Sequence, residues 1–186
     1  MVNNMPQYNN YQLILTELEH TLERVSDLQF NQFADRIVTA NRIFVAGKGR
    51  SGFVANGFAM RLNQLGKEAY VVGESTTPSI HDNDLFLVIS GSGSTEHLRL
   101  LAEKSKSVKA QVVLLTTNLD SPIASLVDNA IELPAGTKYE AEGSEQPLGS
   151  LFEQASQLFL DSVVIGLMSA LKIDEATMQQ NHANLE

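Results

Sequence analysis

Five short apolar runs recur along the middle of the chain, and stretches with helical spacing separate them. Each run is nearly continuous rather than alternating, as expected of strands that are covered on both faces. The runs are Arg42–Ala46 (RIFVA), Ala69–Val72 (AYVV), Leu85–Ile89 (LFLVI), Val112–Leu115 (VVLL) and Ala130–Leu133 (AIEL). This order predicts right-handed βαβ units and an α/β fold, a three-layer α/β/α sandwich around a five-stranded parallel sheet.

Amphipathic spacing also predicts helices before and after the five runs. Apolar positions around Leu18 and around Phe33 indicate two helices near the amino end. Two more are predicted after the last run, at Ser150–Leu171 and at about Asp174–Gln180. The sequence DSP at 120–122 further predicts a short helix that begins at its proline.

Two polar segments are predicted to be flexible. We expect residues 1–186 to form one domain in which residues 1–10 are a flexible N-terminus. The longest irregular stretch, Gly136–Pro147, is predicted to be a mobile loop over a site.

Composition and charge exclude several classes of protein. The chain has 186 residues, a net charge of −9 and no cluster of lysine or arginine, so we expect neither a nucleic-acid nor a membrane partner. The absence of cysteine excludes disulfides and is consistent with a reducing compartment. The amino terminus lacks a signal-peptide pattern, and the apolar stretch Leu158–Leu171 is shorter than the roughly 20 residues that span a bilayer. These features predict a soluble, cytoplasmic protein.

The first predicted strand runs into a glycine-rich loop, GKGRSG, at residues 47–52. Its glycines match the G-x-G-x-x-G spacing of dinucleotide folds, and Glu74 lies where a ribose-binding acid would sit. A nicotinamide-dependent oxidoreductase is therefore one hypothesis. The alternative is a tight strand-to-helix turn that needs glycines for positive φ.

The third predicted strand runs into a second loop, SGSGST, at residues 90–95. Its hydroxyl groups can donate to an anion, its glycines allow close approach of backbone amides, and the next helix would point its positive end at the same place. The residues are Ser90, Gly91, Ser92, Gly93, Ser94 and Thr95. A turn and an N-cap explain one hydroxyl but hardly four in six residues, so this loop predicts a phosphate site.

The expected strand order places the two loops together. In an open sheet of order 2-1-3-4-5, which is flavodoxin-like, the ligand crevice opens between strands 1 and 3 at their carboxyl ends. The two glycine loops follow those two strands. One small anionic ligand could therefore touch both.

Glu153 has two possible roles in the segment QPLGSLFEQ. Ser150 followed by Glu153 is an S-x-x-E capping box at the start of an apolar helix. Alternatively, a carboxylate that adjoins a closed pocket can act as a general base. Both roles need the same carboxylate oxygens, so the geometry has to decide between them.

The four histidines show no spacing that is typical of a metal site, and we predict no metal. His20 and His97 are expected on exposed helix faces, and His81 in a loop. His182 lies in the terminal segment NHANLE, where an ordinary tail residue would be the simplest interpretation.

Six segments together resemble the 6-phospho-3-hexuloisomerases of the sugar isomerase (SIS) domain superfamily. They are GKGRSG (47–52), AMRLNQLG (59–66), GESTTPSI (73–80), ISGSGST (89–95), QPLGSLFEQ (146–154) and NHANLE (181–186). The resemblance covers the chain from the first predicted helix to the last residue. It implies isomerisation of D-arabino-3-hexulose 6-phosphate to D-fructose 6-phosphate through an enediol, in the ribulose monophosphate pathway of formaldehyde fixation. It also implies a homotetramer with sites near subunit interfaces, and no cofactor.

The resemblance assigns roles by position. Glu153 becomes the proton acceptor, and His182 a second acid/base or substrate contact, in its own subunit or in a neighbouring one. Gly49, Arg50 and Ser51 become substrate-binding residues of the first loop, while all six residues 90–95 hold the phosphate. Relatives often have arginine before the histidine, whereas Asn181 stands here.

Two alternatives come from other interpretations of the same features. A non-catalytic phosphosugar sensor is one, although such regulators carry a separate DNA-binding region for which we find no basic helix. An SIS isomerase for another sugar phosphate is the other. Under the resemblance, the dinucleotide hypothesis becomes the weakest, because a paired phosphate cradle accounts for the glycines better.

Overall fold

A computed structural model describes residues 9–136 and 143–185. Its centre is a five-stranded, all-parallel sheet in the order β2-β1-β3-β4-β5. The strands are β1 Arg42–Gly47, β2 Glu68–Val71, β3 Leu85–Ile89, β4 Gln111–Thr116 and β5 Asn129–Glu132. The predicted fold class, strand number and strand order are confirmed, with strand ends that move by one residue at most.

The helices cover both faces of this sheet. They are α1 Tyr11–Leu22, α2 Asp27–Thr39, α3 Arg50–Gln64, α4 Glu96–Ser107, α5 Ser150–Leu171 and α6 Glu175–Gln180. Alternate strand residues face opposite ways, so Leu87 joins the core under α1, α2, α3 and α5, while Phe86 and Val88 join the core under α4. Burial on both faces explains why the middle of each strand is continuously apolar and polar residues stand only at the strand ends.

The short helix predicted at Pro122 does not form. Residues 122–126 are hydrogen-bonded turns instead. The amide of Ile123 donates to the carbonyl of Gly93 at 3.0 Å, and the Ser121 hydroxyl accepts from the amide of Ala124 at 3.3 Å. Because β5 begins at Asn129, few residues remain to repay the cost of starting a helix.

Helix α5 is long and apolar enough, by length and composition, to cross a membrane, so the expectation that this segment falls short is wrong. In this fold it is a core helix. Ten of its residues are buried, Phe159 and Val163 among them, and it packs against α1, α2 and α3. A buried central helix of a soluble domain meets the same criteria of length and composition.

Two predictions of flexible segments fall wholly or partly outside the described residues. Of the N-terminus predicted to be flexible, residues 1–8 are not described. Of the predicted mobile loop Gly136–Pro147, residues 137–142 are not described either. Residues 144–146, by contrast, are bonded to the carboxylate of Glu17 in α1.

Candidate active site

A cavity of about 480 Å³ lies at the carboxyl ends of β1 and β3. The amino ends of α3, α4 and α5 enclose it, so the sheet order brings together three segments that are far apart in the sequence. The lining residues are Lys48, Gly49, Arg50, Ser51, Ile89, Ser90, Gly91, Ser92, Ser94, Thr95, Leu98, Leu148, Gly149, Phe152 and Glu153.

The first glycine loop turns the chain from β1 into α3 within a few residues. A Cβ on Gly47 would lie 2.5 Å from the carbonyl oxygen of Ser51, so the strand end and the first helical turn can touch only at glycine. Gly49, which lines the cavity, has a φ of +59° and nothing within 4 Å of its missing Cβ. The side chain of Ser51 is buried against the cavity wall.

The second glycine loop places its residues in different roles. Ser90 and Gly91 form the cavity floor, and a Cβ on Gly91 would approach the ring of Phe152 to 3.1 Å. Gly93 has a φ of +59°, and a Cβ there would collide with the hydroxyl of Ser121. Gly93 is therefore needed for the turn and does not line the cavity, unlike the other five residues of the loop.

Three helices begin at the cavity without a side-chain cap. Gly49, Thr95 and Gly149 are the N-cap residues of α3, α4 and α5, and within the described chain no side chain bonds to the free amides of these helices as a cap. Each helix therefore presents free N–H groups and the positive end of its dipole. The arrangement favours an anion such as a phosphate.

Glu153 lies on the opposite wall of this cavity, in the first turn of α5. The predicted capping box is wrong, because Gly149 is the N-cap and the Ser150 hydroxyl accepts from Nη1 of Arg50 at 2.8 Å instead. Nε of Arg50 lies 3.1 Å from Oε2 of Glu153. This contact is an ion pair without hydrogen-bond geometry, since Oε2 is buried and has no hydrogen-bond partner among the described residues.

The carboxylate environment suits a proton acceptor. The side chain of Glu153 is 17% exposed, and its burial raises the pKa of Glu153 above the ordinary value, while the Arg50 guanidinium lowers it in part. A raised pKa makes a carboxylate a stronger base at neutral pH. Among the described residues, no group of three histidine or acidic side chains is placed to hold a metal ion.

His182 does not join this cavity within one chain. It follows α6, and the preceding Asn181 donates to the carbonyl of Gln64 at 3.0 Å, at the carboxyl end of α3. The cavity is formed by the other end of α3, about 20 Å away along a helix of this length. His20 and His97 are exposed on helices, as predicted, and His81 lies in a loop, as predicted.

Glu74 also lies away from the cavity. It lines a separate polar groove between α3, β2 and the residues after α6. The acidic partner that the dinucleotide hypothesis needs is thus absent from the cavity lining.

The cavity contains residues that the sequence analysis does not single out. Lys48 lies between the glycines of GKGRSG and lines the site; its charge beside a predicted phosphate loop is a usable signal. Leu148, Gly149 and Phe152 belong to QPLGSLFEQ, a segment in which the family resemblance assigns a role to Glu153 alone. Their roles depend on contacts with distant residues, which spacing alone does not reveal.

Comparison with known proteins identifies the family. The SIS domain matches residues 36–160, and the chain belongs to the SIS domain family. It is 43% identical over 176 residues to a 3-hexulose-6-phosphate isomerase of Bacillus subtilis, covering 93% of this chain and 95% of that protein. It is 39% identical over 180 residues to a 3-hexulose-6-phosphate isomerase of Mycobacterium gastri, covering 96% and 90%.

A solved structure agrees with this. A hypothetical protein of Methanococcus jannaschii, for which a molecular function of 3-hexulose-6-phosphate isomerase was inferred, has a TM-score of 0.85 and 33% identity. The match covers 95% of this chain and 99% of that one. The predicted family resemblance is thus confirmed, as is the prediction of an isomerase.

Proposed function

We propose that this protein interconverts D-arabino-3-hexulose 6-phosphate and D-fructose 6-phosphate. The observation that carries the proposal is a partly buried carboxylate, that of Glu153, which is the one acidic group among the described lining residues of a cavity onto which three uncapped helices open. Relatives named for this reaction match over nearly the whole chain and support the choice of substrate.

The phosphate end of the substrate is assigned to the two glycine loops. Free amides at the starts of α3 and α4, the hydroxyls of Ser90, Ser92, Ser94 and Thr95, and the charge of Lys48 can all serve a dianion there. Binding of this remote group orients C2 and C3 of the sugar against Glu153.

Glu153 is assigned the proton transfer between the two carbons. It takes the proton from C2 of the 3-ketose, the electron pair forms the C2–C3 double bond of an enediolate, and O3 gains negative charge. The same proton returns to C3 while the hydroxyl proton of O2 moves to O3, leaving the carbonyl at C2. Amide and hydroxyl donors around the cavity can stabilise the oxygen charge that develops.

Arg50 supports the proton transfer because its guanidinium contacts the carboxylate of Glu153. Its guanidinium favours the ionised form of Glu153, whereas burial opposes it. The side chain of Arg50 is 56% exposed, so it can adjust its position when an anionic substrate enters.

Oligomerisation, His182 and cellular role complete the proposal. An apolar groove beside the cavity, lined by Arg50 and Glu153 together with Phe53 (75% exposed) and Leu158 (44% exposed), supports a homotetramer with sites near its interfaces. In such an assembly His182 could act in a neighbouring site as acid/base or substrate contact.

We place the reaction in the cytoplasm and in the ribulose monophosphate pathway. Light scattering of the purified protein measures its molar mass and so tests the homotetramer. The molar mass of a monomer would contradict the proposed assembly.

Turnover of the named substrate is the decisive experiment. 3-Hexulose 6-phosphate, made in situ from formaldehyde and ribulose 5-phosphate by a separate synthase, is supplied with EDTA present. We expect rapid formation of fructose 6-phosphate that the chelator does not affect. Phosphosugar binding without turnover would favour a sensor or an isomerase for another sugar.

A further inference from the structure

Glu17, in the middle of α1, receives three hydrogen bonds from a segment about 130 residues further along the chain. The Ser144 hydroxyl and Nε2 of Gln146 donate to Oε2, each at 2.8 Å, and the amide of Glu145 donates to Oε1 at 2.9 Å. Ser144 also accepts from the amide of Gln146 at 3.0 Å. Glu17 and its three donors form what we call the Glu17 clamp.

The clamp lies directly before one wall of the active-site cavity. Only Pro147 separates it from Leu148 and Gly149, both of which line the cavity. Leu148 has a φ of +59°, an unfavourable conformation for a residue that carries a Cβ, and its side chain is 73% exposed. Since little packing holds Leu148 itself, its position depends on its neighbours in the chain, which are the clamp segment before it and the start of α5 after it.

The base is held by other contacts. The residues on either side of Glu153 in α5 are buried in the hydrophobic core of the protein. They are Leu151, Phe152 and Ala155. Loss of the clamp should therefore move the wall at 148–149 and leave Glu153 in place.

We propose that Glu17 is a positioning residue that holds Leu148 and Gly149 in place against the bound sugar phosphate. The proposal rests on the proposed function for its substrate. The clamp requires an ionised acceptor, because all three partners donate. Burial of Glu17 opposes ionisation, but the bonds from Gln146, Glu145 and Ser144 outweigh it and lower the pKa of Glu17.

Glu17→Gln is the main test, with Glu19→Gln as its matched control on the exposed side of the same helix. The amide that replaces the Glu17 carboxylate would place donors against donors, so we expect KM for 3-hexulose 6-phosphate to rise about fivefold or more, with kcat within about twofold. Glu19→Gln should match the wild type. Gln146→Ala removes one donor and should give a smaller rise in KM, which keeps the test available if Glu17→Gln folds poorly.

A purely structural role would give the opposite pattern. Partial unfolding lowers the active fraction and hence apparent kcat, while KM stays constant. Unchanged KM in both clamp variants would overturn the proposal. Hydrogen exchange at the amides of residues 145, 146, 148 and 149 gives a readout that needs no substrate, and we expect faster exchange in Glu17→Gln. Equal exchange rates in the wild type and in Glu17→Gln would overturn the positioning role of Glu17. Failure of the wild type to turn over the sugar would reject the proposed function, and the exchange experiment would still test Glu17.

Discussion

The helices of this protein begin in two different ways, depending on whether they face the cavity. Away from it, the N-cap side chains accept from helix amides in α2, where Ser26 accepts from Gln29 at 3.5 Å, and in α6, where Asp174 accepts from Thr177 at 2.8 Å. In α1 the N-cap residue Asn10 makes no such bond, but the side chain of the preceding Asn9 accepts from the amide of Tyr11 at 3.2 Å. At the cavity, α3, α4 and α5 have no such cap among the described residues.

The difference shows where the fold gives up local stability for binding. A side-chain cap typically stabilises a helix by about 1 kcal/mol, and a capped amide can no longer donate to a ligand. Glycine at two of the three cavity N-caps, Gly49 and Gly149, leaves the amides open. The helix ends at the cavity are therefore suited to an anion, and those elsewhere to stability.

The largest effect is expected from Glu153, the carboxylate that faces these open helix ends. Glu153→Gln should lower kcat at least about a hundredfold and leave binding of fructose 6-phosphate nearly unchanged, because the amide keeps the shape but cannot take a proton. Steady-state kinetics and calorimetry measure the two quantities. Asp161→Asn, two turns further along α5, is the control. Near-wild-type turnover of Glu153→Gln would remove Glu153 from the mechanism.

The same variant should keep or gain stability at neutral pH. Burial raises the pKa of Glu153, and a carboxyl group whose pKa rises on folding contributes stability at low pH that is lost as pH rises through the raised pKa. Ionised Glu153 therefore opposes folding at pH 7, and glutamine removes that opposition. A lower Tm for Glu153→Gln at pH 7 would contradict this.

Alanine variants at two glycines of positive φ distinguish a loss of substrate binding from backbone strain, because only one of the two glycines lies at the cavity. Gly49 begins α3 at the cavity, and Gly66 follows the other end of the same helix, with φ of +59° and +80°. Alanine at either position should cost about 1–3 kcal/mol of stability. Only Gly49→Ala should also raise KM, by roughly tenfold, because it displaces the loop that faces the substrate. Equal KM values for the two variants would argue against an anion site at the start of α3.

The pH dependence of the reaction should reflect Arg50. Activity requires ionised Glu153, so kcat should fall as pH drops through the pKa of this group, and that pKa lies above the ordinary value for glutamate. Arg50→Gln removes the charge that favours the carboxylate, so the acid limb of the kcat profile should move to higher pH. Arg50 faces Glu153 from α3, and Lys48 is the other charged residue among the described residues that line the cavity. An acid limb that stays in place in Arg50→Gln would show that the ion pair does not tune the base.

The fold was predictable from the sequence where burial alone decides the structure. β3 was predicted residue for residue, because all five of its side chains are buried, and α5 was predicted with its observed ends. The two glycine loops were also predictable, since strand ends at a parallel sheet meet at one edge. Sequence signals failed where a side chain that suits a local motif is used by a distant residue.

Ser150 illustrates that failure. The Ser150 hydroxyl accepts a hydrogen bond from Arg50, 100 residues away, instead of capping its own helix. Ser121 shows a different failure. Its hydroxyl does accept from the amide of Ala124 at 3.3 Å, but the amide of Ile123 bonds to the distant carbonyl of Gly93, and the segment closes as turns instead of a helix. The bonds to Glu17 likewise join residues 127 to 129 apart, and no local pattern predicts them.

No effect on catalysis is expected at a capped helix away from the cavity. Ser26→Ala removes the cap of α2 and should cost about 0.5–1 kcal/mol of stability, at the low end because the bond is 3.5 Å long. Because α2 does not reach the cavity, kcat and KM should stay at wild-type values. Urea unfolding and steady-state kinetics measure both effects on one preparation. A change in KM would mean that caps remote from the cavity also shape the site, and the division between helix ends that bind and helix ends that stabilise would not hold.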